Sequence, residues 1–202
     1  MKKYNRLSKE FYKQDAITLS KEILGKILVR DIDGEKVLCM IVETEAYVGP
    51  EDKGCHAYGN KKTERTKTMF LEGGVAYIYI IYGMYNCLNI VATEEGKPEA
   101  VLIRAVEPLN NIDILKKYRN IKSNKIQDLT NGPGKLCKAL NIDRSLNGYD
   151  LVNGNELYVV ELDSEDDFEI VESKRINIDY AEEYKDKLWR FYVKGNKFIS
   201  KK

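Results

Sequence analysis

The stretch from Lys26 to His56 restricts the fold most. Lys26–Ile32 and Lys36–Glu45 are two strand-forming runs separated by Asp33-Gly34, a pair that favours a tight hairpin. The second run carries Val37, Leu38, Met40, Ile41 and Val42 into two carboxylates, Glu43 and Glu45. Tyr47, a Gly49-Pro50 breaker and the only histidine, His56, follow. Alternation along a strand puts Glu43, Glu45 and Tyr47 on one face. Two acids and an aromatic on one face, at the end of a buried strand, predict a lined cleft with Glu45 at its mouth.

The rest of the chain reads as more hairpins interspersed with short helices. Asp15 to Gly25 has a helical apolar stripe (Ile17, Leu19, Ile23, Leu24) and a glycine stop. Val48 to Thr68 is a long polar loop, of a length that tends to be functional. Val75 to Tyr82 and Asn86 to Ala92 are β-rich runs about a tip at Gly83, so Tyr82 and Tyr85 flank a hairpin end. Ala100 to Val106 is another strand, Leu109 to Tyr118 a helix, and Arg119 to Asp128 a lysine-rich surface loop. Asn131-Gly-Pro-Gly134 opens a helix over Lys135 to Leu140, with proline in its first turn. Its amides can cap the helix or hold an anion. Leu157 to Leu162 and Phe168 to Val171 are strands around an acidic turn. Tyr180 to Lys187 reads as helical, and Trp189 to Val193 as a last strand. Hairpin-linked strands with helices in separate stretches predict an α+β fold: one domain over residues 1–202, a mostly antiparallel curved sheet, surrounding helices and a protruding β-hairpin.

Composition narrows the function classes. The start lacks an apolar signal core, and no run approaches a membrane span of roughly 20 residues. The four cysteines (Cys39, Cys55, Cys87, Cys137) have no C-x-x-C spacing and read as reduced structural thiols. Cys55 and His56 are too few for zinc, so no metal or other cofactor is expected. A net charge of +1 argues against indiscriminate nucleic-acid binding. One local stripe, Lys53, Lys61, Lys62, Arg65 and Lys67, runs against that average.

Without a metal set or a Ser/His/Asp pattern, the natural chemistry for Glu45 is water activation or cation stabilisation. A salt-bridged strand acid is the plainer role, and Glu43, deeper in the apolar run, fits a structural hydrogen-bonding role best. His56 can donate, accept or titrate. Tyr47, Tyr77, Tyr79, Tyr82 and Tyr85 are either core tyrosines or a stacking platform for a flat ring. A bulky side chain on a hairpin tip also has the shape of a wedge that enters a base stack. An activating acid, aromatic walls, a wedge and a basic loop together describe an enzyme that flips a nucleotide out of a duplex.

ETEAYVGPEDKGCHAYG, MF with YIYIIYGMYNCLNIV, PEAVLIRAVEP, LTNGPGKLCKAL and RFYVKG, in that order from about Leu7 to Val193, resemble the alkyladenine (3-methyladenine, methylpurine) DNA glycosylase family. The resemblance implies a monofunctional enzyme that hydrolyses the N-glycosidic bond of alkylated or deaminated purines in double-stranded DNA and leaves an abasic site. It implies Glu45 as general base and Arg104 as the arginine positioning the water. Tyr47 and Tyr79 become stacking walls, His56 the pocket histidine, and Asn89 the pocket-floor asparagine that excludes guanine's amino group. Tyr82 becomes the intercalating tyrosine and Lys135 a phosphate contact. Glu64 stands where many relatives have proline, which weakens that loop's approach to phosphate. The implied protein is a monomer without membrane association, cytoplasmic in a bacterium or nuclear in a eukaryote. Two other readings use some of the same residues: a noncatalytic base-stacking module, which does not need Glu45, and a metal-free nucleoside hydrolase, which does not need Tyr82.

Overall fold

The longest strand runs through Glu43, Glu45 and Tyr47, and the other elements are placed by pairing with it or packing on it. The computed structural model describes residues 4–162 and 167–201. In chain order the regular elements are β1 (Tyr4–Arg6), α1 (Lys9–Tyr12), α2 (Ala16–Glu22), β2 (Ile27–Ile32), β3 (Glu35–Val48), β4 (Ala76–Ile81), β5 (Tyr85–Ala92), β6 (Glu99–Pro108), α3 (Ile112–Arg119), α4 (Pro133–Ala139), β7 (Leu157–Leu162), β8 (Ile170–Ser173) and β9 (Arg190–Val193). The strands form one open sheet, ordered β1-β7-β2-β3-β6-β5-β4, and every pairing is antiparallel.

Strand β3 changes partner along one edge. Its first half pairs with β2, and Glu43, Thr44 and Glu45 pair with Tyr192, Phe191 and Arg190 of β9. On its other edge it pairs with β6, and the register slips on either side of Glu43. Such an irregularity bends a strand and re-aims its side chains. Here it falls at the first of the two acids.

Alternation then divides the sheet into two faces. Val42 and Ala46 of β3, Ile78 of β4, Leu88 and Ile90 of β5, and Val101 and Ile103 of β6 enter the main core with α2 and α4. The opposite side of β4, β5 and β6 contributes Tyr77, Val91 and Ala100 to a smaller cluster, joined by Cys55, Met69 and the flank of Tyr47. Helix α2 is held at its start by Asp15, whose carboxylate accepts from the amides of Ile17 and Thr18 at 3.0 Å. Thr44 donates to the Ser20 carbonyl at 2.8 Å, tying β3 to that helix.

Several expectations are modified. Val48 to Thr68 is not irregular throughout: short 3-10 turns occupy Gly49–Glu51, Tyr58–Asn60 and Lys67–Phe70. Tyr180 to Lys187 is not a regular helix. Asp179–Asp186 is a kinked 3-10 segment, broken where Glu182 takes φ +50°. Part of the acidic turn after Leu162 lies outside the described residues. The predicted hairpin is present as β4–β5, with Tyr82 at φ +52° and Gly83 at φ +69° in its turn. Two consecutive positive φ values suit the right-handed twist of a hairpin. All four cysteines are buried free thiols.

Candidate active site

A cavity of about 510 Å³ opens on the second face of the sheet, and Tyr47, His56, Tyr77, Tyr79, Asn89 and Arg104 all line it. Tyr82 and Tyr85 of the hairpin tip line it too, as do Ile176 and Asn177.

Glu45 is fully buried. It is not among the residues that line the cavity, so it does not stand at a cleft mouth. The Tyr47 hydroxyl donates to Oε2 at 3.0 Å, Arg104 Nη1 lies 3.2 Å from the same oxygen, and the Ile176 amide donates to Oε1 at 2.7 Å. All three partner residues line the cavity. Burial, reinforced by the Glu45 carboxylate, pushes the Tyr47 phenol well above its usual range. It therefore remains a donor at neutral pH.

Glu43 is also fully buried and does not line the cavity. It accepts from Arg104 Nε at 3.2 Å, Arg190 Nη1 at 3.0 Å, the Ser200 amide at 2.5 Å and the Ser200 hydroxyl at 2.9 Å. Arg104 thus spans both acids and reaches the Ser200 hydroxyl with Nη2 at 3.2 Å. Burial opposes its charge, but the carboxylates of Glu45 and Glu43 more than offset this and raise its pKa. A guanidinium held at three nitrogens has little freedom to turn.

His56 is fixed by its neighbours. Nδ1 lies 3.0 Å from the Tyr77 hydroxyl and Nε2 lies 3.2 Å from Arg65 Nη2. Arginine only donates, so Nε2 accepts and Nδ1 carries the proton. Burial and then the Arg65 charge push His56 down to about 4, so it is a neutral donor at physiological pH and does not titrate there. Its ring stands edge-on to Tyr79, with centroids 4.5 Å apart. Tyr77 and Tyr79 lie side by side, 5.6 Å apart and tilted by 35°. Asn89 is buried, with its amide nitrogen directed to the carbonyls of Tyr77 at 3.1 Å and Cys87 at 3.4 Å.

The hairpin tip carries exposed apolar side chains. Tyr82 is 73% exposed, and Met84 and Tyr85 are exposed beside it. Helix α4 begins against this tip: a Cβ on Gly134 would fall 3.0 Å from Tyr85 Cβ. Lys135 is outside the cavity, with Nζ 2.7 Å from Asn131 Oδ1.

The basic stripe does not remain a stripe. Lys53 is paired with Glu182 at 2.6 Å and Glu183 at 3.1 Å, and Lys67 with Glu64 at 2.7 Å. Arg65 lies over Tyr79 and Lys62 over Phe70. Asp52, Arg175 and Ile176 stand close to Glu45 and Tyr47 without a marking motif of their own. Asp52 lies inside the ETEAYVGPEDKGCH stretch, while nothing near Arg175 and Ile176 in the sequence marks them as neighbours of Glu45.

The profile of the methylpurine-DNA glycosylase family matches residues 10–197. A protein of Natranaerobius thermophilus, named "Putative 3-methyladenine DNA glycosylase", is 53% identical over 96% of this chain and 98% of its own length. Relatives of the same name from Clostridium novyi and Clostridioides difficile are 56% and 50% identical, over 98% and 93% of this chain and 99% and 100% of their own lengths. Matched along nearly its whole length by this family profile and by these relatives, the chain is a DNA glycosylase and belongs to the methylpurine-DNA glycosylase family.

Proposed function

We propose that this DNA glycosylase is monofunctional, acts as a monomer of one domain, and excises alkylated or deaminated purines that it has flipped out of duplex DNA. The matched relatives are bacterial, so the cytosol and its nucleoid are the proposed place of action. The observation that carries the reading is the pairing of a buried, three-times-bonded Glu45 with an exposed Tyr82 on the rim of the same cavity.

In this reading the damaged base enters between Tyr47 and Tyr79, and Tyr82 fills the space it leaves in the duplex. That filling offsets part of the unstacking cost, which is smallest for lesions that pair poorly. Water attacks C1′ of the sugar as the bond to the purine nitrogen breaks, and the bonding pair leaves with the base. Glu45 takes the proton from water, and its charge favours the oxocarbenium character at C1′. Arg104 orients the water and the carboxylate together. An alkylated purine is cationic and departs as a neutral base, and aromatic faces favour the cation while it is bound. Neutral His56, whose one N–H faces the Tyr77 hydroxyl, lines the pocket without adding a competing charge. Asn89 excludes guanine's amino group, and Lys135 meets a phosphate.

The test is a panel of duplexes each carrying one hypoxanthine, 3-methyladenine, 7-methylguanine or ethenoadenine, incubated with enzyme and then cleaved chemically at abasic sites. Wild-type protein releases base from at least one, and Glu45→Gln releases none while still binding the lesion duplex. Wild-type rates from Glu45→Gln would sink the mechanism. Strand cleavage without the chemical step would show a lyase instead.

A further inference from the structure

One buried ion pair behind the cavity wall contacts neither the open space nor Glu45 directly. Arg175 and Asp52 have no exposed side-chain surface, and their contact is bidentate, at 2.5 and 2.7 Å. Neither residue lines the cavity. Around the pair, however, three separate pieces of the site come together.

The first is the end of β3. Arg175 Nη1 donates to the Ala46 carbonyl at 3.0 Å, between Glu45 and Tyr47. The guanidinium also lies over the Tyr47 ring, 4.8 Å from its centroid, and 5.0 Å from the centroid of the Trp189 ring. The second is the turn towards His56. Asp52 accepts from the Val48 amide at 3.2 Å and the Gly54 amide at 2.8 Å. Gly54 lines the cavity, and a Cβ there would fall 3.0 Å from Arg175 Nη2. The third is the segment after Arg175 itself, whose next amide, that of Ile176, donates to Glu45 at 2.7 Å.

We propose that Asp52 and Arg175 are positioning residues for base excision, holding the Ile176 amide and the Tyr47 ring on Glu45 through one rigid charge pair. The proposal rests on the reading of Glu45 as general base. A buried ion pair contributes little net stability against an apolar replacement, so its value here lies in geometry. The planar arginine fork matters as well as the charge. Lysine carries the same charge but makes neither the bidentate contact nor the stack over Tyr47. Because the pair acts on the carboxylate and one wall, it governs the rate of the chemical step more than lesion affinity.

The experiment uses full-length protein with Arg175→Lys and Asp52→Asn. Asp52→Asn keeps the shape but removes the charge and turns one acceptor oxygen into a donor, so it breaks the pair from the other side and covers the case in which Arg175→Lys fails to fold. Single-turnover release is measured at saturating enzyme on the lesion duplex cleaved fastest by wild type. Lesion-duplex Kd is measured for each substitution in the non-cleaving Glu45→Gln background, with thermal unfolding followed alongside. The expected result is a release rate lower by roughly 10- to 100-fold, the range typical of partners that orient a reacting group. Kd should change by less than about threefold, since lesion contacts are not removed. Folded variants with a release rate near wild type would overturn the proposal. So would an affinity loss as large as the rate loss, which would show that the pair serves lesion binding and not the chemical step. If Glu45→Gln itself cleaves normally, it is the reading of Glu45 that has failed, a different outcome from an inert pair beside an essential Glu45.

Discussion

The Tyr47 hydroxyl donates to Glu45 Oε2 at 3.0 Å, from two positions further along the same strand. Residues at that spacing share a strand face, so β3 by itself brings donor and acceptor together. The contact joins a proposed stacking wall to the proposed base, and the two proposed roles of the tyrosine can be separated.

Tyr47→Phe keeps the ring and removes the donor. A hydrogen bond to a charged group is worth about 1.5–3 kcal/mol, so single-turnover release should fall by at least about tenfold. Lesion-duplex affinity should stay within about threefold of wild type, because the stacking face remains. An unchanged rate with measurable lesion binding would show that the hydroxyl does not serve Glu45.

Tyr82→Ser tests the wedge. With 73% of Tyr82 exposed at a hairpin turn, the substitution should shift stability by no more than about 0.5 kcal/mol in thermal or urea unfolding. Excision from duplexes should nevertheless drop, and drop further for a lesion in a well-stacked context than for one opposite a mismatch. Equal excision of all duplexes would favour an enzyme that acts on free nucleosides.

His56 gives a prediction in pH. Its folded-state pKa is about 4, against an ordinary 6.5, so the unfolded chain binds the extra proton between these values. Its contribution to stability is therefore fully present above about pH 6.5 and is lost as pH falls through about 4, with a ceiling of about 3 kcal/mol. Urea unfolding of wild type and His56→Gln from pH 7 to pH 4 should show the steeper decline in wild type. A parallel decline would mean that the imidazole is not held neutral. The pH profile of base release between pH 6 and 8 should carry no inflection from this residue.

Lys135→Ala addresses phosphate contact. If Lys135 neutralises one phosphate, the slope of log affinity against log salt should become shallower by about 1, for damaged and undamaged duplexes alike. Unchanged slopes would remove it from the interface. The substitution should leave the lesion preference as it was, since a phosphate contact carries no base information.

Much of the fold follows from local pattern. The Asp33-Gly34 turn, the alternation in β4 to β6 and the tip at Gly83 are set by residues within a few positions of one another, and all appear as read. The same alternation put Tyr77 and Tyr79 on one face and grouped Glu45 with Tyr47. The α+β class follows from these hairpins as well. Tyr180 to Lys187 is the counterexample. Its residues suit a helix, but Ala181 is buried while Glu182 turns to φ +50°, and tertiary placement overrides propensity.

What only the tertiary structure decided lies in contacts between distant residues. Arg104 meets Glu43 and Glu45 because β6 pairs with β3 through a slipped register. Asp52 meets Arg175, and Ile176 meets Glu45, across more than 120 residues of chain. The apparent basic stripe was divided for the same reason, with Lys53 taken by two glutamates from the far end of the sequence. Side-chain direction is a local property of φ and ψ, and it can be read from sequence. Which charge stands opposite which is fixed only when the whole sheet closes its register and the buried groups find partners, and no short window of residues contains that information.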